Sequence, residues 1–100
     1  MKHRFTRRFE KAYARLPEDV KGLFDKKLNH FLQNPWYPSF RTKRIRSTGN
    51  IWEARLTKKY RFTFEINQEV IIFRNIGSHD IIDGEKDQSA FVDFSVIVLR

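Results

Sequence analysis

The apolar repeat of this chain changes period at Phe40, and that change restricts the fold more than any other feature. Before it, Phe5, Phe9, Ala12, Tyr13 and Leu16 recur at spacings of three and four, the stripe of an amphipathic helix, with Arg7, Arg8, Lys11 and Arg15 on the outer face. Pro17 closes this helix and opens another, because a proline at the start of a helix sacrifices no hydrogen bond. Glu18 and Asp19 then suit the positive end of the helix dipole, and Val20, Leu23, Phe24, Leu28, Phe31 and Leu32 form the apolar face up to Asn34-Pro35. After Phe40 the period is two. Trp52, Ala54 and Leu56 alternate with Glu53, Arg55 and Thr57, and Tyr60, Phe62, Phe64 and Ile66 alternate with Arg61, Thr63 and Glu65. Val70 to Phe73 is apolar on both faces, as an interior strand should be. A helix hairpin packed on an antiparallel meander follows, an α+β class with connections at Lys58-Lys59 and Asn67-Gln68.

The register of the first strand pair can be deduced. A two-residue Lys58-Lys59 turn would set Arg55 against Phe62 and mix the faces, and Lys-Lys suits a primed turn poorly. A three-residue loop sets Leu56 against Tyr60 and Arg55 against Arg61, which keeps each face uniform. Two arginines then lie side by side on the open face. Like charges so placed destabilise a sheet, which an anion would relieve; Glu53 or Glu65 could equally neutralise them.

Charge follows the same division. Residues 1–61 carry 17 Lys/Arg and 5 Asp/Glu, a net +12, whereas residues 62–100 carry 3 and 7, a net −4. The segment from Phe40 to Arg61 alone holds eight basic residues, Arg41, Lys43, Arg44, Arg46, Arg55, Lys58, Lys59 and Arg61, against Glu53. A cationic segment that is also patterned to fold is a rigid positive surface, for which a phosphate backbone is the commonest partner. The absence of cysteine excludes a disulfide, a thiolate zinc site and a thiol nucleophile. Three scattered histidines make no metal-ligand set, and there is no Gly-rich phosphate loop, so neither metal nor cofactor is expected. The basic start is not followed by an apolar run, and no stretch approaches a membrane span, so a cytoplasmic protein without membrane contact is expected. His79, beside Asp80 and just beyond Gly77, is the natural proton carrier if it lies near the arginines.

In order along the chain, FEKAYARLP, NPWYPSF leading to KRI, IWEARL, KKYRFTFEI and VIIFRNIGSHD resemble toxins of the RelE/ParE superfamily of type II toxin–antitoxin systems. The ending RNIGSHDIIDG is most similar to the YafQ-like branch. The resemblance implies a ribosome-dependent mRNA endonuclease silenced by a cognate antitoxin, cleaving without metal through attack of the ribose 2′-hydroxyl on the adjacent phosphorus. It implies Arg61 and Arg55 for phosphate stabilisation, His79 as general acid or base, and Lys43, Arg44, Arg46, Lys58 and Lys59 for holding RNA. A gyrase-directed relative without catalysis, and an inactive co-repressor that binds nucleic acid with its antitoxin, are the alternatives. The resemblance covers about residues 5–83, within a domain of residues 1–83. The family's N-terminal strand is not visible, since the helical stripe starts at Phe5, and the extension 84–100 has no counterpart. Its Phe94–Leu99 run, uncharged and strongly β-prone, is expected to add to a sheet edge in its own chain or in a second copy, favouring a homodimer.

Overall fold

The computed structural model describes residues 1–87 and 97–99. Its elements are β1 (Lys2–Thr6), α1 (Arg7–Ala14), α2 (Glu18–Gln33), a 3-10 turn (Pro38–Phe40), β2 (Lys43–Arg44), β3 (Trp52–Arg55), β4 (Tyr60–Asn67), β5 (Val70–Ser78), α3 (Ile81–Asp87) and β6 (Ile97–Leu99). The strands form one sheet in the order β2-β3-β4-β5-β1-β6. Every neighbouring pair is antiparallel except β1 with β5. No described helix is long and apolar enough to cross a membrane.

The N-terminal strand is therefore present, contrary to the expectation that the helix begins at Phe5. Phe5 lies on β1 opposite Phe73, with the two rings stacked at 4.9 Å, and Phe9 lies on α1. Both rings are 0% exposed. Four-residue spacing matched a helix only because strand and helix deliver the two rings to the same core. Thr6 makes the change of direction: its hydroxyl oxygen caps α1 by accepting the Phe9 N–H at 3.1 Å, and its O–H donates to the Arg74 carbonyl at 3.1 Å. His3 is paired with Ile71 and sits edge-on to Phe5. With β1 parallel to β5, the sheet is mixed rather than a pure antiparallel meander.

The helix hairpin forms as its two stripes require. Phe9 meets Phe24, and the Tyr13 hydroxyl reaches the Asp25 carboxylate at 2.7 Å. From the sheet, Phe62, Phe64 and Phe73 rise against Phe31, largely edge-to-face, the arrangement that ring quadrupoles favour. The three-residue loop is as deduced: Arg55 opposes Arg61 and Ala54 opposes Phe62. The β4–β5 connection comes one residue later than expected, at Gln68-Glu69. These residues have φ of 50° and 69°, as a primed turn needs, and Asn67 pairs with Val70.

The second face of the sheet is only partly open. Around Arg74 it is buried and charged. Arg74 Nη1 donates to Glu65 at 3.0 Å and its Nε to Glu85 at 2.7 Å, while Arg8 Nη1 donates to the other Glu85 oxygen at 2.8 Å. The Glu85 side chain is 0% exposed. Arg8, expected on a solvated helix face, is thus drawn inward by α3. That helix crosses the boundary between residues 83 and 84. Residues 97–99 pair with β1 in the same chain, so a tail strand does add to the sheet. It adds to β1 and not to an edge vacated by a missing strand. Phe94 to Val96, the first half of the β-prone run, lie outside the described residues.

Two outcomes test this network. Glu85→Ala leaves a buried guanidinium half-paired and should cost about 3–5 kcal/mol in urea unfolding; a loss below ~1 kcal/mol would show that the network contributes little. Burial raises the Glu65 carboxyl above its ordinary 4.5 and outweighs the opposing pull of Arg74, with Glu85 adding to the rise. A carboxyl with a raised folded pKa contributes stability below its unfolded pKa and loses it as pH climbs through the folded one. The unfolding free energy of Glu65→Gln relative to the natural chain should therefore increase from pH 4.5 upward. A pH-independent difference contradicts this assignment.

Candidate functional site

Strand pairing lines up Arg55, Arg61 and Gly77 across β3, β4 and β5. Arg41, which sequence analysis gave no site role, joins them. It follows the 3-10 turn, where Phe40 is buried as the anchor and the Arg41 N–H donates to the Pro38 carbonyl at 3.1 Å. Arg41 has φ 47° and ψ 43°, the left-handed region that non-glycine residues rarely occupy. Strained backbone of this kind is concentrated at functional sites.

The three charges act on one another. The Arg55 guanidinium holds its proton less tightly than an ordinary arginine, first because of desolvation and then because of Arg41 and Arg61. Arg55 is only half-buried, yet its Nε is shut from solvent and has no partner among the described residues. Of the two acids that could have neutralised the row, Glu65 is held away by a hydrogen bond and Glu53 has only a long contact to an exposed lysine. Glu65 serves Arg74 at 3.0 Å, and Glu53 lies 3.9 Å from Lys43. An anion with several oxygens could occupy this row, supplying charge to all three guanidinium groups and an acceptor to the orphaned Nε.

Arg61 also has a structural task. Its Nη1 donates to the carbonyls of Thr57, Lys58 and Tyr60 at 2.7, 2.9 and 3.3 Å, so it pins the β3–β4 loop. Its other donors are not used in this way. Lys58 and Lys59 are exposed on the same loop, with Lys59 Nζ 5.5 Å from the Tyr60 ring centre. The β2 residues are divided by the pleat. Lys43 pairs with Glu53 and shares the Arg55 face, whereas Arg44 pairs with Trp52 and shares the helix face. Arg46 is exposed in the loop beyond.

His79 leaves the sheet at the same end. Ser78 is opposite Tyr60, next to Arg61, and His79 follows it, exposed, in the turn that starts α3. Asp80 is already engaged: a hydrogen bond from the Ser78 hydroxyl, then one from its own backbone, hold its carboxyl below the usual range, and His79 adds to this. Register thus brings Arg55 and Arg61 together and leaves His79 at the rim. Arg41 was missed because a chain excursion of fourteen residues separates it from Arg55. The only clue was its position just after a proline-marked turn.

Arg55→Met removes a buried orphan donor and a repelling charge while keeping most of the aliphatic stem. Stability should stay within about 1 kcal/mol or rise, while inorganic phosphate binding, followed by chemical-shift titration, weakens. Unchanged phosphate binding would remove Arg55 from the anion site.

No protein-family model and no curated protein matches the sequence. Solved structures do. E. coli YafQ is similar at 10% identity, a TM-score of 0.67, and coverage of 80% of this chain and 94% of that one. A mutant of E. coli RelE in the free state gives 19% identity, a TM-score of 0.67, and 90% and 97% coverage. A chain of the archaeal RelE–RelB complex from Pyrococcus horikoshii gives 21% identity, a TM-score of 0.63, and 77% and 92% coverage. The arrangement of helices around a sheet is thus shared with proteins of very different sequence. The chain has the RelE-like fold of the RelE/ParE toxins.

Proposed function

We propose that this chain is the toxin of a toxin–antitoxin pair, and that it is a ribosome-dependent endonuclease cutting mRNA in the cytoplasm. The observation that carries the reading is the convergence of Arg41, Arg55 and Arg61, with Glu65 committed to Arg74. Intramolecular attack of a ribose 2′-hydroxyl on phosphorus concentrates negative charge on the phosphorane oxygens. Guanidinium groups fixed before the reaction stabilise that charge without reorganising. In this scheme Arg55 and Arg61 hold the reacting phosphate and His79 moves the proton. Lys43, Lys58, Lys59 and Arg46 steer the RNA backbone, and Arg44 acts from the other side of the sheet edge. A cognate antitoxin is the protein partner, in keeping with the RelE–RelB complexes among chains of this fold. Pairing of β6 with β1 within the chain already meets the need that suggested a homodimer, so a strand-mediated dimer is not part of the proposal.

One observation favours a second reading, a phosphate-binding chain without cleavage, directed at gyrase or acting as a co-repressor. Arg61 Nη1 has a purely structural use that such a chain would retain. Mapping of mRNA ends in a translation extract separates the two. Cuts ending in a 2′,3′-cyclic phosphate support the endonuclease, and intact mRNA with inhibited supercoiling supports the alternative.

Arg61→Ala changes chemistry and loop together, so His79 gives the cleaner test. His79→Gln, at an exposed position, should leave stability unchanged and slow cleavage by roughly 10²–10⁴-fold. An unaltered rate would remove His79 from the mechanism.

A further inference from the structure

We propose that Trp36 and Tyr37 are a stacking shelf for the bases of single-stranded RNA whose backbone lies on the row of Arg41, Arg55 and Arg61; this rests on the reading of that row as a phosphate site. The core takes up most of the chain's aromatic rings, but Trp36 and Tyr37 remain 52% and 44% exposed. They are not exposed because the connector is loose. The Trp36 N–H donates to Asn34 Oδ1 at 3.1 Å and the Tyr37 N–H to the Asn34 carbonyl at 3.2 Å. The Trp36 ring stands edge-on to Trp52 at 5.0 Å, and Tyr37 edge-on to His30 at 4.6 Å. Rings held out on a fixed backbone lose little freedom when a base stacks on them.

The shelf adjoins the arginines through the chain itself. Thr42 Oγ1 donates to the Pro35 carbonyl at 2.5 Å, joining the residue after Arg41 to the residue before Trp36. Arg44, paired with Trp52, projects to the same side of the sheet as the Trp36–Trp52 contact, the face opposite Arg55 and Arg61, so a strand that reaches both shelf and row turns around the β2 edge at Arg41 and Thr42. Residues 34–52 contain four cations and no acid. Aromatic rings interleaved with positive charge suit a single strand, whose bases stack while its phosphates are neutralised. RNA uses both features at once, stacking its bases on the rings and setting its phosphates against the charges.

The test measures binding, not cleavage. A 2′-O-methyl RNA oligonucleotide, which lacks the attacking hydroxyl, and an abasic oligonucleotide of equal length are titrated by fluorescence anisotropy. The double variant Trp36→Ala, Tyr37→Ala should lose about fivefold or more in affinity for the base-bearing strand and none for the abasic one. Retained abasic binding shows that the variant is folded. Arg41→Ala should weaken both ligands and lower the salt dependence. If the double variant binds the base-bearing strand as tightly as the natural chain does, the shelf is not an RNA surface and a protein-docking role replaces it. If the natural chain binds neither oligonucleotide at low salt, the phosphate reading of the arginine row fails, and the shelf with it.

Discussion

A guanidinium withdrawn from water must be paired, and Arg74 is only 7% exposed in the middle of β5. Meeting its need organises much of the molecule. Glu65 is supplied by β4 and Glu85 by α3, and the second carboxylate oxygen then draws Arg8 inward from α1. The Arg74 carbonyl takes the Thr6 hydroxyl at the point where β1 becomes α1. Five elements thus meet around one residue that lies outside the candidate site.

The network also sets the character of that site. Glu65 lies on the same face of β4 as Arg61, four residues along the strand, and is the acid that β4 contributes to that face. Arg74 takes it instead, and Lys43 lies nearest to Glu53. The row of Arg41, Arg55 and Arg61 therefore retains its positive potential because another arginine, buried more deeply, binds the available acid. Stability in one half of the sheet and positive potential in the other have a common electrostatic origin.

Much of this was legible in the residues. Period-two alternation from Trp52 to Ile66 fixed the faces of β3 and β4, and face uniformity alone was enough to place Arg55 opposite Arg61. The apolar run from Val70 correctly marked a strand with neighbours on both sides. Local pattern failed where the cause was distant. β1 is a short, mostly basic segment, Lys-His-Arg-Phe-Thr, and it is a strand because β5 presents an open edge to it. Periodicity shows how the β2 side chains alternate but not which neighbours they meet, so Lys43 and Arg44 looked equivalent. The roles of Arg8 and Arg41 depend on partners 77 residues away in one case and on a left-handed turn in the other. Helical or strand spacing records neither.

The parallel pairing of β1 with β5 has a kinetic consequence. The hairpins from β3 to β5 close short loops, whereas the Thr6–Arg74 contact closes one across a separation of 68 residues. Long loops are entropically slow to close, so the meander is the natural nucleus, and β1 is expected to dock after it. In the finished sheet β6 pairs with β1. On this topology β1 is expected to dock before β6, onto a hairpin core that already holds Arg55 and Arg61 in register.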